Sequence, residues 1–180
     1  MINKLSYEQI KSSRPDIETH NKSLPFPISV IIENIRSLYN VGSIFRTSDG
    51  AHIEQLFITG YTGYPPRKEI DKTALGSVES VKWKHSQDPD PIIKSLKEEG
   101  YHIIALEHTD KSVPYIEFEY PSPMCLIVGN EVEGISKETL SKCDSAIEIP
   151  MYGIKQSLNV SVAYGIAIYH IIEQLKNQKK

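Results

Sequence analysis

Cysteine is nearly absent from this chain: Cys125 and Cys143 are the only two among its 180 residues. Two cysteines cannot make a disulfide framework, and neither lies in a CxxC or Cys/His cluster. The pair therefore reads as reduced thiols in or near the core of a cytoplasmic protein. Long apolar runs are missing too, and none approaches the roughly 18–20 residues needed to cross a bilayer. The opening residues, Met1-Ile2-Asn3-Lys4-Leu5-Ser6-Tyr7-Glu8, hold no apolar signal core, which argues against export. The histidines are scattered and HExxH does not occur, so no metal is expected. GxGxxG after a strand, GxxxxGK(S/T) and the GxSxG elbow are also absent. Charge of one sign is not in large excess. A formal net charge of -3 argues against a protein coated in basic surface, yet it leaves room for a local positive patch.

What is present suits one domain with a short appendage and a real core. Hydrophobic content of 39% and charged content of 24% fall in the soluble globular range. Residues 1–27 read as an N-terminal arm, with a short helix over Leu5 to Lys11 and irregular, proline-punctuated chain from Arg14 onward. Residues 28–180 form the main domain. Ile28 to Glu33, Ile53 to Thr59, Ile103 to Leu106, Met124 to Val128 and Ala146 to Ile149 are apolar, β-branched strand candidates, and Val78 to Lys84 is a further one. Helical patterns lie between them: Val41 to Ser48, Ile92 to Glu99 behind a proline-rich cap, and Ser136 to Lys142. Gly60 to Gly76 reads as a long loop with about one helical turn. Strands alternating with helices predict an α/β fold, a mostly parallel sheet with helices on both faces.

The last helix, Leu158 to Leu175, carries two apolar stripes: Val160, Tyr164, Ile168, Ile171 and Leu175 on one side, Val162, Ile166, Tyr169 and Ile172 on another. The sheet can cover one of them. A second copy of the chain would cover the other, so a homodimer is expected.

Three polar clusters follow apolar strands, where open α/β sheets bind ligands. Asn40, Gly42 and Arg46 follow the first strand, with Gly42 leaving room for a ligand or another chain. Gly129, Asn130, Glu131 and Gly134 follow Leu126-Ile127-Val128. Ser157 and Asn159 follow the Ile149 strand, and Ser157 suits the cap of the last helix. Taken singly, each is read as easily as a cap, a turn or a solvated side chain. Occurring together in one small domain, they ask for another explanation.

The local wording supplies one. Asn40-Val41-Gly42-Ser43-Ile44-Phe45-Arg46-Thr47, then Ile127 to Ser136 around Gly129-Asn130-Glu131, then Ile149-Pro150-Met151 with Ser157-Leu158-Asn159-Val160-Ser161-Val162-Ala163, together resemble the three ordered motifs of the SpoU (TrmH) family of RNA ribose 2′-O-methyltransferases in the SPOUT superfamily. The similarity runs from about residue 28 to 173, with Val132 standing where the family often has glycine. The resemblance implies a C-terminal deep trefoil knot, an exception to unknotted connectivity, together with a homodimer and S-adenosyl-L-methionine as cofactor. It places Gly129, Ile149 and Leu158 against that cofactor, with Leu106 and Met151 as further walls. It also implies that Arg46 acts on the ribose 2′-hydroxyl, oriented with the substrate by Asn40, Glu131, Ser157 and Asn159.

The expected substrate is a structured RNA, tRNA before rRNA. Arg14 and Lys22 in the arm, Arg36, Arg67, Lys68 and Lys72 in loops, and the rings of Tyr61 and Tyr64 are candidates to touch it. Two other readings stay open: an RNA-binding member of the fold without catalysis, and a small-molecule α/β enzyme with a nucleotide-like ligand.

Overall fold

The computed structural model describes residues 2–178. Its centre is a seven-stranded sheet built from β1 (Phe26–Glu33), β2 (Ile53–Thr59), β3 (Trp83–Ser86), β4 (His102–Leu106), β5 (Val113–Pro114), β6 (Met124–Val128) and β7 (Ser145–Glu148). The strands run β3-β2-β1-β6-β4-β7-β5 across the sheet, and every pairing is parallel. The interior strands are continuous apolar runs because both of their faces are covered. Alternate residues then feed two cores. Val30, Ile32, Ile104, Leu126 and Val128 point into one, while Ile31, Ile103, Ala105, Cys125 and Ile127 point into the other.

The larger core is closed by α3 (Leu38–Ala51), α4 (Lys68–Ala74) and α8 (Val160–Gln178), which bury Val41, Ile44, Phe45, Ile70, Ala74, Tyr164, Ile168 and Ile171. The smaller core takes Ile93 and Leu96 from α6 (Asp90–Glu98), with Ile135 and Leu140 ahead of and within α7 (Lys137–Leu140). Helices therefore lie on both faces, as the alternation of patterns requires. Cys125 is buried, Cys143 is half-buried, and both are free thiols.

The strand order positions the site. The first three strands step outward from β1 in one direction; the chain then returns to the opposite side of β1, and β6 inserts between β1 and β4. The carboxyl ends of β1, β6, β4 and β7 thus lie side by side, at a place where the winding reverses.

Several local expectations need correcting. The arm is not irregular after Arg14: besides α1 (Tyr7–Ser12), capped by Ser6, it forms α2 (Ile17–Lys22), whose N-terminus is capped by the Asp16 side chain. The β1 strand begins at Phe26, within the segment assigned to the arm. The stretch from Val78 is not a strand until Trp83. Gly76, at φ +91°, turns the chain into α5 (Ser77–Ser80), and extended backbone resumes where Trp83 pairs with Leu56. The long loop after β2 contains a full helix, α4, held by burial of Ile70 and Ala74 at helical spacing. α3 starts at Leu38 under a Ser37 cap, so Asn40 lies in its first turn and is not a cap.

The room at Gly42 is taken by the chain's own α4. A Cβ there would come within 2.1 Å of Thr73 Oγ1 and 2.3 Å of the Ile70 carbonyl oxygen. In α8 the first apolar stripe is buried throughout, but the second is narrower than its spacing implies: Val162, Ile166 and Tyr169 are exposed, whereas Ile172 is buried.

A Gly42→Ala substitution should force α3 and α4 apart. It is expected to destabilise the fold by about 1–3 kcal/mol, the usual cost of overpacking, read as a lower urea midpoint with an unchanged slope.

Candidate active site

The Glu131 carboxylate is the centre of the site. Its Oε2 accepts the backbone N–H of Arg36 at 3.0 Å, and its Oε1 accepts the N–H of Ser37 at 3.1 Å and Asn40 Nδ2 at 2.9 Å. The carboxylate therefore closes the N-terminal end of α3, where the helix dipole favours negative charge. Asn40 passes the link on, its Oδ1 accepting from Asn159 Nδ2 at 3.0 Å. Asn159 Oδ1 in turn accepts the Ser161 N–H at 2.9 Å and so caps α8. That role had been expected of Ser157. Ser157 instead stands two residues ahead of the cap, in exposed chain on the cleft wall.

Burial raises the Glu131 pKa, but the hydrogen bonds from Arg36, Asn40 and Ser37 outweigh it and hold the carboxyl below its ordinary value. Glu131 is thus an ionised acceptor at neutral pH, suited to positioning its partners.

Asn130 organises the same loop. Its Oδ1 accepts the N–H groups of Val132 and Glu133 at 2.8 and 2.9 Å, and its backbone bridges Gly134. The Gly134-Ile135 backbone passes so close to Gly129 that an added Cβ would lie 2.3 Å from the Gly134 carbonyl carbon. Gly129 therefore has no space for a side chain, and its backbone faces the cleft.

Two carboxylates that the sequence reading did not single out complete the frame. Glu107, just past β4, accepts the N–H of Ile135 at 3.0 Å and of His108 at 2.9 Å. Glu33, buried at the end of β1, accepts from the Ser136 backbone at 2.9 Å and from Thr139 Oγ1 at 2.7 Å. The signal available for both was an acidic residue directly after an apolar strand, a position that more often means a solvated turn.

Between these elements lies an open cleft with a cavity volume of about 140 Å³. Leu106, Gly129, Ile149, Met151 and Leu158, the residues expected to hold a cofactor, all line it. So do Glu131 and Ser157, and Asn40 and Asn159 stand behind Glu131 through the bonds above. Arg46 is not on this wall. It is exposed on α3, and among the described residues it makes no ion pair.

S-adenosylmethionine fits the donor set. The aliphatic walls suit a purine face, and the lining holds Glu107, Glu131 and Glu148 with no lysine or arginine to oppose a cationic ligand. The hydrogen bond from Ser112 lowers the Glu148 pKa, burial opposes it, and His108 lowers it further, so this carboxylate too is ionised. Among the described residues no group of three or more His, Cys, Asp or Glu side chains could hold a metal ion, and no helix is long and apolar enough to cross a membrane.

Comparison with known proteins decides the family, since residues 27–169 match the SpoU rRNA Methylase family. The chain belongs to that family. Among individual SpoU-type relatives, the tRNA (guanosine(18)-2′-O)-methyltransferase of Aquifex aeolicus is 34% identical over 93% of this chain and 77% of its own. The Escherichia coli enzyme of the same name is 33% identical over 83% of this chain, which spans only 65% of that protein. The crystal structure of the A. aeolicus TrmH/SpoU tRNA-modifying enzyme superposes with a TM-score of 0.82 at 31% identity, covering 91% of this chain and 82% of that one. An AdoMet-bound rRNA methyltransferase from Sinorhizobium meliloti gives a TM-score of 0.77 at 29% identity, covering 82% and 56%. SpoU methyltransferases are S-adenosylmethionine-dependent, and the motif residues on the cleft wall here are those expected to hold that cofactor.

The lowered Glu131 pKa makes a pH prediction. The stability it contributes is present above the unfolded-state carboxyl value, about 4.3, and is lost as pH falls through the lower folded value. Thermal unfolding followed from pH 7 to pH 3 should show Glu131→Gln less stable at pH 7, with a shallower acid-side decline than wild type.

Proposed function

We propose that the chain transfers a methyl group from S-adenosylmethionine to a ribose 2′-hydroxyl of a tRNA. The observation that carries this reading is the Glu131–Asn40–Asn159 chain, which binds all three motifs into one wall of the cleft. The names of the A. aeolicus and E. coli relatives point to tRNA, and the S. meliloti neighbour keeps rRNA as the second reading.

In this reading Gly129, Ile149, Leu158, Leu106 and Met151 hold the cofactor. The bound cofactor supplies an electrophilic methyl on a sulfonium. The protein's task is to place the ribose oxygen near that carbon and to assist loss of its proton. Placement contributes on the order of 7–11 kcal/mol of barrier lowering. Ionised Glu131 fixes Asn40 and Asn159 rather than taking the proton. A guanidinium is a poor base, so Arg46 is assigned to stabilise the developing alkoxide, with the neighbouring phosphate as proton acceptor.

Arg46 reaches a cleft through a second copy of the chain. It stands one turn before Gly50 on the same side of α3, and a Cβ at Gly50 would lie 2.8 Å from the Tyr169 hydroxyl. Tyr169 ends the exposed stripe Val162-Ile166-Tyr169. The exposed stripe supports the homodimer, and a dimer that buries it would bring Arg46 of one subunit to the boundary of the other. The trefoil knot is retained on the family resemblance, the cytoplasmic location on the two free thiols, and RNA contacts by the arm on its basic residues Arg14 and Lys22.

Total RNA incubated with the protein and methyl-labelled S-adenosylmethionine, then digested to nucleosides, should yield a labelled 2′-O-methyl nucleoside from the tRNA fraction. Label in a base, or in no RNA, overturns the reading. Arg46→Ala should keep its affinity for cofactor and RNA while turnover falls by about 100-fold or more, the usual cost of a lost charge-stabilising donor. Near-wild-type turnover would remove Arg46 from the chemistry.

A further inference from the structure

Tyr61 stands just past β2, and its half-exposed ring is tethered at both ends. Its hydroxyl accepts Asn130 Nδ2 at 2.8 Å, and its backbone N–H donates to Asn34 Oδ1 at 3.1 Å. Both anchors belong to the site: Asn130 lines the cleft, and Asn130 Nδ2 also donates to the Asn34 carbonyl at 2.8 Å. The backbone before the ring is fixed as well. Gly60 adopts φ +65° under the Asn34 amide, where a Cβ would come within 1.9 Å of Oδ1, and Thr62 Oγ1 accepts the Ile35 N–H at 2.9 Å.

The outcome is a flat apolar surface, 58% exposed, held at the edge of the cleft. Tyr64 stacks on His85 with ring centroids 4.1 Å apart, but Tyr61 pairs with no aromatic ring among the described residues. Arg36, two residues after Asn34, is exposed and makes no ion pair among the described residues, so the segment that anchors Tyr61 also carries an exposed cation. A preorganised aromatic ring, with a cation on the segment that anchors it, suits an unstacked nucleobase and its phosphate.

We propose that Tyr61 is the substrate-positioning residue of this site, stacking a nucleobase of the RNA next to the acceptor ribose while its hydroxyl, through Asn130, links that event to the cofactor loop. The proposal rests on the RNA-methyltransferase reading above. Base stacking on Tyr61 also steadies the Asn130 side chain, which supports the Val132 and Glu133 amides. RNA binding and cofactor binding are thereby coupled through one hydrogen bond.

Three variants of the full chain separate ring from hydroxyl. Tyr61→Leu removes the stack and should weaken binding to unfractionated tRNA, and raise KM for it, by roughly 5- to 100-fold, the range for one lost base–aromatic contact. Tyr61→Phe and Tyr61→Trp keep a ring, so tRNA affinity should stay within about two-fold. Both lose the Asn130 contact, so the gain in S-adenosylmethionine affinity that tRNA is expected to give the wild type should shrink. A purely structural role predicts Phe and Leu to behave alike on RNA, and that result overturns the proposal, as does a Leu variant with wild-type KM. Circular dichroism melts identify any variant that fails to fold, in which case the Phe and Trp pair decides alone: tRNA affinity lost in both overturns it. If wild type methylates no RNA, the function proposed above falls and takes this inference with it. Wild-type turnover with an insensitive Tyr61 sinks this inference alone.

Discussion

One carboxylate sets the geometry of the site. Glu131 belongs to the loop after β6, yet its acceptors are filled from the turn between β1 and α3, and Asn40 extends the connection to the start of α8. The groups joined are 91 to 119 residues apart in sequence. Such contacts form only after the sheet has brought the loops together, so the network is a product of the fold and not its cause. Its value lies in direction: an ionised acceptor with three donors has one low-energy orientation, and charge-assisted bonds of this kind are roughly twice as strong as neutral ones. The lowered pKa is the same fact stated as a proton affinity.

The sheet supplies the meeting place. A parallel sheet puts all its carboxyl ends on one edge, and inserting β6 between β1 and β4 puts the Gly129–Gly134 loop between Asn34–Ser37 on one side and Glu107 on the other. Each neighbour then contributes a hydrogen-bonding group to that loop or to the two residues after it: the Asn34 carbonyl to Asn130, the Glu107 carboxylate to Ile135 and the Glu33 carboxylate to Ser136. The six-residue loop and the two residues after it are thereby held from both sides.

This explains which parts of the molecule were legible in the chain. The interior strands announce themselves as β-branched runs because two-sided burial demands it, and the motif residues stand out because their wording is uncommon. Leu106, Gly129, Ile149, Met151 and Leu158, expected from the family resemblance, all line the cleft. The misreadings share a cause: each concerns a residue whose partner is distant. Gly42 announces close approach but not by what, and the answer is α4, a helix too short to declare itself by periodicity. Ser157 and Asn159 are equally good caps in isolation, and Asn159 takes the position because its amide must also reach Asn40. Glu33 and Glu107 look like solvated turn residues until β6 arrives between their strands.

The position of Arg46 follows from the same economy. The groups behind Glu131 are saturated with bonds inside the chain, so they can orient a substrate but have little capacity left to answer charge that develops during the reaction. A guanidinium without an internal partner keeps that capacity. On the proposed reading it stands on α3 beside the uncovered α8 stripe, where a second copy can carry it to the neighbouring cleft. A site that binds cofactor with one chain and activates the acceptor with another becomes complete only in the assembled dimer.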